Sequence, residues 1–174
     1  MQTSEAITVG IVAERRVLTS PWADHDWRPV AVLESTPDLD PGSPIEEAPG
    51  RARFYLGPLE LRLHRKETDS YRHNLASGSP RLYIALRQGA GPAGLPILAF
   101  QVSAAPDEGQ AWAEVGDDVV DGVPMPEVLA QWVADFVQRF HVEQPKYKRQ
   151  RTPAVIDRSP PASPSGQRKS GHGR

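Results

Sequence analysis

The chain has 174 residues, 39% of them hydrophobic and 24% charged, a balance that suits one soluble globular domain plus some length outside its core. It contains no cysteine, which excludes disulfides, thiolate zinc sites, iron–sulfur ligation and cysteine nucleophiles together. Its net charge of −2 is unevenly placed: residues 142–174 hold eight Lys/Arg and two Asp/Glu, so a body of −8 carries a segment of +6.

In chain order, the opening MQTSEAITVGIVAERR has no basic stretch leading into an apolar one, so no secretory leader is expected. Nor is any run apolar enough to span a bilayer, and the expected location is cytoplasmic. Residues 9–18 and 27–33 are strand candidates. Residues 35–50, STPDLDPGSPIEEAPG, hold four prolines and read as a surface loop. Residues 53–56 and 59–63 follow as two further strands. In the second, Leu59, Leu61 and Leu63 alternate with Glu60, Arg62 and His64, the period of a strand with one buried face. A short helix is predicted over 67–76, with Gly78 at its left-handed end and Pro80 beyond. Leu82, Ile84 and Leu86 alternate in the next strand, and residues 96–102 and 119–123 complete a set of about seven. Short connections predict an antiparallel meander. A helix over 106–115 is weakened by Gly109, which costs about 1 kcal/mol relative to Ala.

The strongest helical signal is PEVLAQWVADFVQRF, residues 126–140. Val128, Leu129, Trp132, Val133, Phe136, Val137 and Phe140 make one wide apolar stripe, with Trp132 and Phe136 as expected anchors. Pro126 suits the first helical position and Pro145 bars continuation. The expectation is therefore a single α+β domain over residues 7–142. Its mostly antiparallel sheet of six to seven strands is packed by a C-terminal amphipathic helix. A basic Pro/Ser/Gly-rich tail, 143–174, is expected to be disordered.

Three stretches could carry function. LHRKETDSYRHNL, residues 63–75, concentrates His64, Arg65, Glu67, Tyr71 and His73, but spreads them over a strand and a helix. His64 and His73 do not have the i, i+4 spacing with which two histidines on one helix hold a metal, so no metal site is expected. PWADHDWRP, residues 21–29, offers Trp22, His25 and Trp27 either as packing or as an aromatic recognition loop. PKYKRQR, residues 145–151, places Lys146, Lys148 and Arg149 around Tyr147. Such a segment can hold phosphates and stack bases. The acidic body argues against a polyanion, so an acidic protein surface is the better partner and nucleic acid is not expected. The string GAGPAG, residues 89–94, matches a dinucleotide fingerprint in letters only, because Pro92 interrupts it and a strand follows instead of a helix. No enzyme signature is present, no cofactor is expected, and oligomeric state is not encoded in any pattern here.

ERRVL (14–18), PWADHDWRPVAVL (21–33), LELRLHRKE with YRHNL (59–75) and VPMPEVLAQWVADFVQRFHVEQPKYKR (123–149) together carry a resemblance. The chain resembles a small proteobacterial family known only as a domain of unknown function, whose members tend to be encoded near formate dehydrogenase and related molybdoenzyme genes. The resemblance implies a non-enzymatic accessory protein that binds a protein partner, a formate dehydrogenase-type complex or its maturation factors. The alternative is a small-molecule or cofactor site near His25, His64 and Tyr71.

Overall fold

The computed structural model describes residues 4–143, and the chain divides into units Met1–Val142 and Glu143–Arg174. Ten regular elements follow one another: β1 (Ser4–Val17), β2 (His25–Leu33), β3 (Pro44–Ala48), β4 (Arg51–His64), α1 (Thr68–Ala76), β5 (Arg81–Gln88), β6 (Ile97–Ser103), α2 (Pro106–Val115), β7 (Val119–Pro124) and α3 (Glu127–Phe140). The fold is α+β and every strand pair is antiparallel.

The seven strands form two sheets instead of one. The first has the order β2-β1-β4-β3 and the second β6-β5-β7. Neither is the expected meander. In the first, hairpins β1–β2 and β3–β4 lie side by side because β1 also pairs along β4, Ser4 opposite His64 through Arg16 opposite Arg51. In the second, β7 returns to the far side of β5.

The strand count conceals two errors in the sequence reading. Residues 53–56 and 59–63 belong to one strand, β4, and β3 lies inside the supposed loop 35–50. The cause of the first is a bulge. Ile11 faces Gly57 and Val12 faces Tyr55, so Leu56 has no partner on β1. Phe54, Tyr55 and Leu56 are consequently all buried, and the two-residue period breaks. Gly57 has φ +111, which only glycine adopts readily, and a side chain there would also meet Pro41 at 3.3 Å. β3 escaped notice because its residues PIEEA are mostly exposed and carry no alternating apolar face.

The core lies inside the two sheets and under the helices. Val9, Ile11, Ala13, Leu61, Leu63, Leu82, Ile84 and Leu86 are fully buried from the strands, and Leu129, Val133 and Phe136 from α3. Each large one contributes about 1.5–3 kcal/mol by leaving water. The α3 stripe is narrower than its sequence suggested. Val128 points to solvent, Trp132 is only partly buried, and Phe136 is the anchor, meeting Tyr71 edge-on at 6.3 Å. Pro126 stands at the N-cap position, one residue before the helix proper. Arg139 ties α3 to β1 through paired bonds to Glu5 of 2.6 and 2.9 Å.

Two polar fastenings hold α1 and α2. The buried Asn74 amide donates to the carbonyls of Arg81 (2.6 Å) and Ala104 (2.8 Å), and its oxygen accepts from the Arg81 N–H (2.9 Å). Those bonds pin α1 to β5 and to the segment after β6. At the start of α2, Ser103 donates to Glu108 and accepts from the Ala105 N–H. Gly109, which looked like a weak point, lies against Tyr83 so closely that a methyl group there would be 2.6 Å from the ring.

Candidate functional site

Two regions gather the residues singled out in the sequence. The first is the turn joining β1 to β2. The Leu18 N–H donates to the Asp24 carbonyl (3.0 Å) and closes the turn, and the Trp22 N–H donates to Ser20 Oγ (3.2 Å). This leaves Trp22 92% exposed, with Val17 at 58% and Leu18 at 37% beside it in sequence. His25 opens β2 opposite Val17 and is exposed. Trp27, two residues on, is a core residue. It packs on Phe54 with ring centroids 5.5 Å apart and lies beneath the Arg15 guanidinium at 5.9 Å. The two tryptophans of PWADHDWRP thus have opposite roles, one packing the sheet and one presented to solvent.

The second region surrounds His64 at the end of β4. Its backbone N–H donates to the Tyr71 hydroxyl (3.0 Å), which fixes the turn from β4 into α1. Tyr71 is itself buried, and burial pushes its phenol up to about 12. Arg65 lies over the Phe140 ring at 4.1 Å. Thr68 Oγ1 donates to the Arg65 carbonyl (3.0 Å) and therefore accepts from His141 Nδ1 (3.2 Å), which assigns the proton to that nitrogen. Glu67 is half-buried and pairs with Lys66 at 3.6 Å. Beside His64 opens a cleft of about 380 Å³ between β4 and β6. Its walls include Glu60, Arg62 and His64 on one side and Phe100, Glu108 and Trp112 on the other.

His25, His64 and Tyr71 do not converge. His25 faces Val17 and His64 faces Ser4, at opposite ends of β1. At about 3.3 Å per residue they are roughly 40 Å apart along the strand. Tyr71 has its ring in the core and only its hydroxyl at His64. Among the described residues, no group of three or more His, Asp or Glu is placed to hold a metal, and no helix is long and apolar enough to cross a membrane. Lys146, Tyr147, Lys148 and Arg149, with the remainder of the basic tail, lie outside the described residues.

One polar centre had no clear sequence signal. Glu14 is 2% exposed, yet its carboxylate accepts from Arg16 (2.9 Å) and Arg53 (3.1 Å). The Arg16 guanidinium, aided by Arg53, holds it below the usual carboxylate range against the opposing effect of burial. Strand register puts Arg28, Glu14, Arg53 and Glu46 in one row across all four strands of the first sheet. Within that row Arg53 bonds Glu14 (3.1 Å) and pairs with Glu46 (3.6 Å), tying β1, β4 and β3 together, while Arg28 pairs with Asp26 on its own strand. Phe100, Glu108 and Trp112 were also missed. They come from a strand and a helix that sequence reading placed correctly but could not bring together.

These features define an α+β domain of two antiparallel sheets whose exposed aromatic side chains lie on a turn and in an inter-sheet cleft. The chain belongs to the family described as Protein of unknown function (DUF3305), whose model matches residues 8–150. No curated protein and no solved structure matches it.

Proposed function

We propose that this domain is a non-catalytic accessory protein that captures a protein partner in the maturation or assembly of a formate dehydrogenase-type molybdoenzyme. The observation that carries the binding reading is Trp22, 92% exposed at the end of the first hairpin. An indole held in water by a closed turn is poised to be buried by something else, and tryptophan leads the residue types that dominate protein interfaces. The molybdoenzyme context comes from the family resemblance of residues 14–33, 59–75 and 123–149.

The test is capture by the tagged full-length chain from cells grown on formate, read by mass spectrometry, beside Trp22→Ala and a charge reversal of Lys146, Lys148 and Arg149. Formate dehydrogenase subunits or maturation factors should be retained by the unaltered chain. Trp22→Ala should weaken retention by about 2 kcal/mol or more, near thirtyfold. Equal capture by all three chains, or no such partner, overturns the proposal.

A further inference from the structure

We infer that the outer face of the first sheet, at the end that carries the Trp22 turn, receives a short acidic segment of a protein partner through Arg16 and Arg51. This names the partner's chemistry for the accessory role, and rests on that reading.

The argument starts from strand register. Arg16 of β1 stands directly opposite Arg51 of β4. Like charges so placed repel and weaken a sheet. Their neighbours in the row do not relieve them. On the other side of β1, Arg16 faces Asp26, whose carboxylate is drawn to Arg28 at 3.1 Å. On the other side of β4, Arg51 faces Ala48. The nearest carboxylate to Arg51 is Glu46 at 3.9 Å, too far for a hydrogen bond, and Glu46 lies closer to Arg53 at 3.6 Å. Arg16 is held only through its Nε, which donates to Glu14 at 2.9 Å. Among the described residues, the terminal nitrogens of Arg16 and the side-chain nitrogens of Arg51 thus have no hydrogen-bond acceptor. Both side chains are half exposed, at 53% and 49%, while the Glu14 that anchors Arg16 is at 2%. Two adjacent guanidinium groups with donors to spare suit carboxylates, which each planar fork can grip by two parallel bonds.

The exposed indole belongs to the same end. The Val17 N–H donates to the Gly50 carbonyl (2.9 Å), which sets the base of the β1–β2 turn beside the β3–β4 turn. Arginine and tryptophan are the residue types that lead interface energetics. The surrounding charge favours a protein segment over a polyphosphate. Arg28 and Arg53 share the face, but so do Asp26 and Glu46, 34% and 50% exposed. Those carboxylates repel a nucleic acid or an anionic membrane laid across the sheet. A single pair of partner carboxylates needs only the two arginines.

The experiment titrates the full-length chain with a ten-residue peptide holding a central glutamate pair flanked by leucines, beside its glutamine counterpart. Arginine Nε–H NMR signals and calorimetry are the readouts. The glutamate peptide should move the Arg16 and Arg51 signals, and the glutamine peptide should not. Arg51→Glu should weaken binding about tenfold. Arg62→Glu makes the same charge change near the far end of β4, opposite Ala6, and should bind as the parent does. Without peptide, Arg51→Gln should raise the urea midpoint, because it removes the like-charge pair. A lowered midpoint shows that Arg51 serves the fold and overturns the inference. So does equal or absent binding of the two peptides, or parental binding by Arg51→Glu. Binding lost on charge reversal of Lys146, Lys148 and Arg149 but indifferent to Arg51→Glu assigns the acidic partner to that segment instead. Tighter binding of a single-stranded oligonucleotide through Arg16 and Arg51 overturns the partner class. Each of these failures leaves the accessory proposal standing. Peptide binding as expected, with no formate dehydrogenase subunit or maturation factor captured from cells, overturns that proposal and keeps the arginine site.

Discussion

Replacing Gly109 by alanine is a substitution for which helix propensity and packing predict opposite signs. Within α2, alanine is favoured over glycine by about 1 kcal/mol. Considered on propensity, Gly109→Ala should therefore stabilise. Against this, the new methyl would lie 2.6 Å from Tyr83 Cδ1 and Cγ and 2.7 Å from its Cβ. Those atoms are the root of the ring, so a small rotation cannot remove them. Overpacking of this kind costs about 1–3 kcal/mol. The expected net effect is destabilisation by about 1 kcal/mol after the propensity gain is subtracted. Urea unfolding is the assay, with a lower midpoint at unchanged slope as the signature. Tyr83→Ala supplies the decisive background. With the ring gone, Gly109→Ala should stabilise by about 0.5–1 kcal/mol, and the cycle should give a coupling of about 2 kcal/mol. A Gly109→Ala protein more stable than the parent, or equal effects in both backgrounds, would refute the packing argument.

Other expectations follow from the buried polar groups. Asn74→Ala strands the Arg81 N–H and the carbonyls of Arg81 and Ala104, and should cost about 3 kcal/mol or more in the same unfolding assay. Glu14 has a folded-state pKa below its ordinary value, so its contribution is complete above the ordinary glutamate range and is lost as pH falls through the lowered value. Glu14→Gln should flatten that acid limb of a stability–pH curve, and an unchanged limb would contradict the ion-pair assignment. Phenolate absorbance on raising the pH should show Tyr71 ionising last, near 12, and that late component should vanish in Tyr71→Phe. The same variant deprives the His64 N–H of its acceptor and should lower stability by about 1–3 kcal/mol.

What could be read in the sequence was whatever obeys a single period. α3 and β5 were legible because Leu129, Val133 and Phe136 recur at helical spacing and Leu82, Ile84 and Leu86 at strand spacing. β4 was read as two strands because the bulge at Leu56 changes which parity faces inward, and no local pattern announces a bulge. The division into two sheets was invisible for a related reason, since pairing partners are set by contacts distant in sequence. Gly109 was judged by propensity, whereas its value lies in a contact with β5 that composition cannot express. Among candidate site residues, Trp22 and His64 were found because they are unusual locally. Phe100, Glu108 and Trp112 were not, because each is ordinary until the fold brings it to His64.

β1 is an inner strand whose two neighbours arrive at very different times during synthesis. β2 follows after a short turn, but β4 is complete only at His64. At about 5–20 residues per second, β1 waits roughly 2–9 s after its own last residue is made. Through that interval Val9, Ile11 and Ala13, destined for the core, have only a hairpin to shelter them. Pairings this far apart in sequence also slow the search for the native arrangement once the chain is free. The nascent domain therefore passes through a stage in which a long, apolar strand edge is open to other chains, and chaperone dependence or aggregation at high expression should originate there.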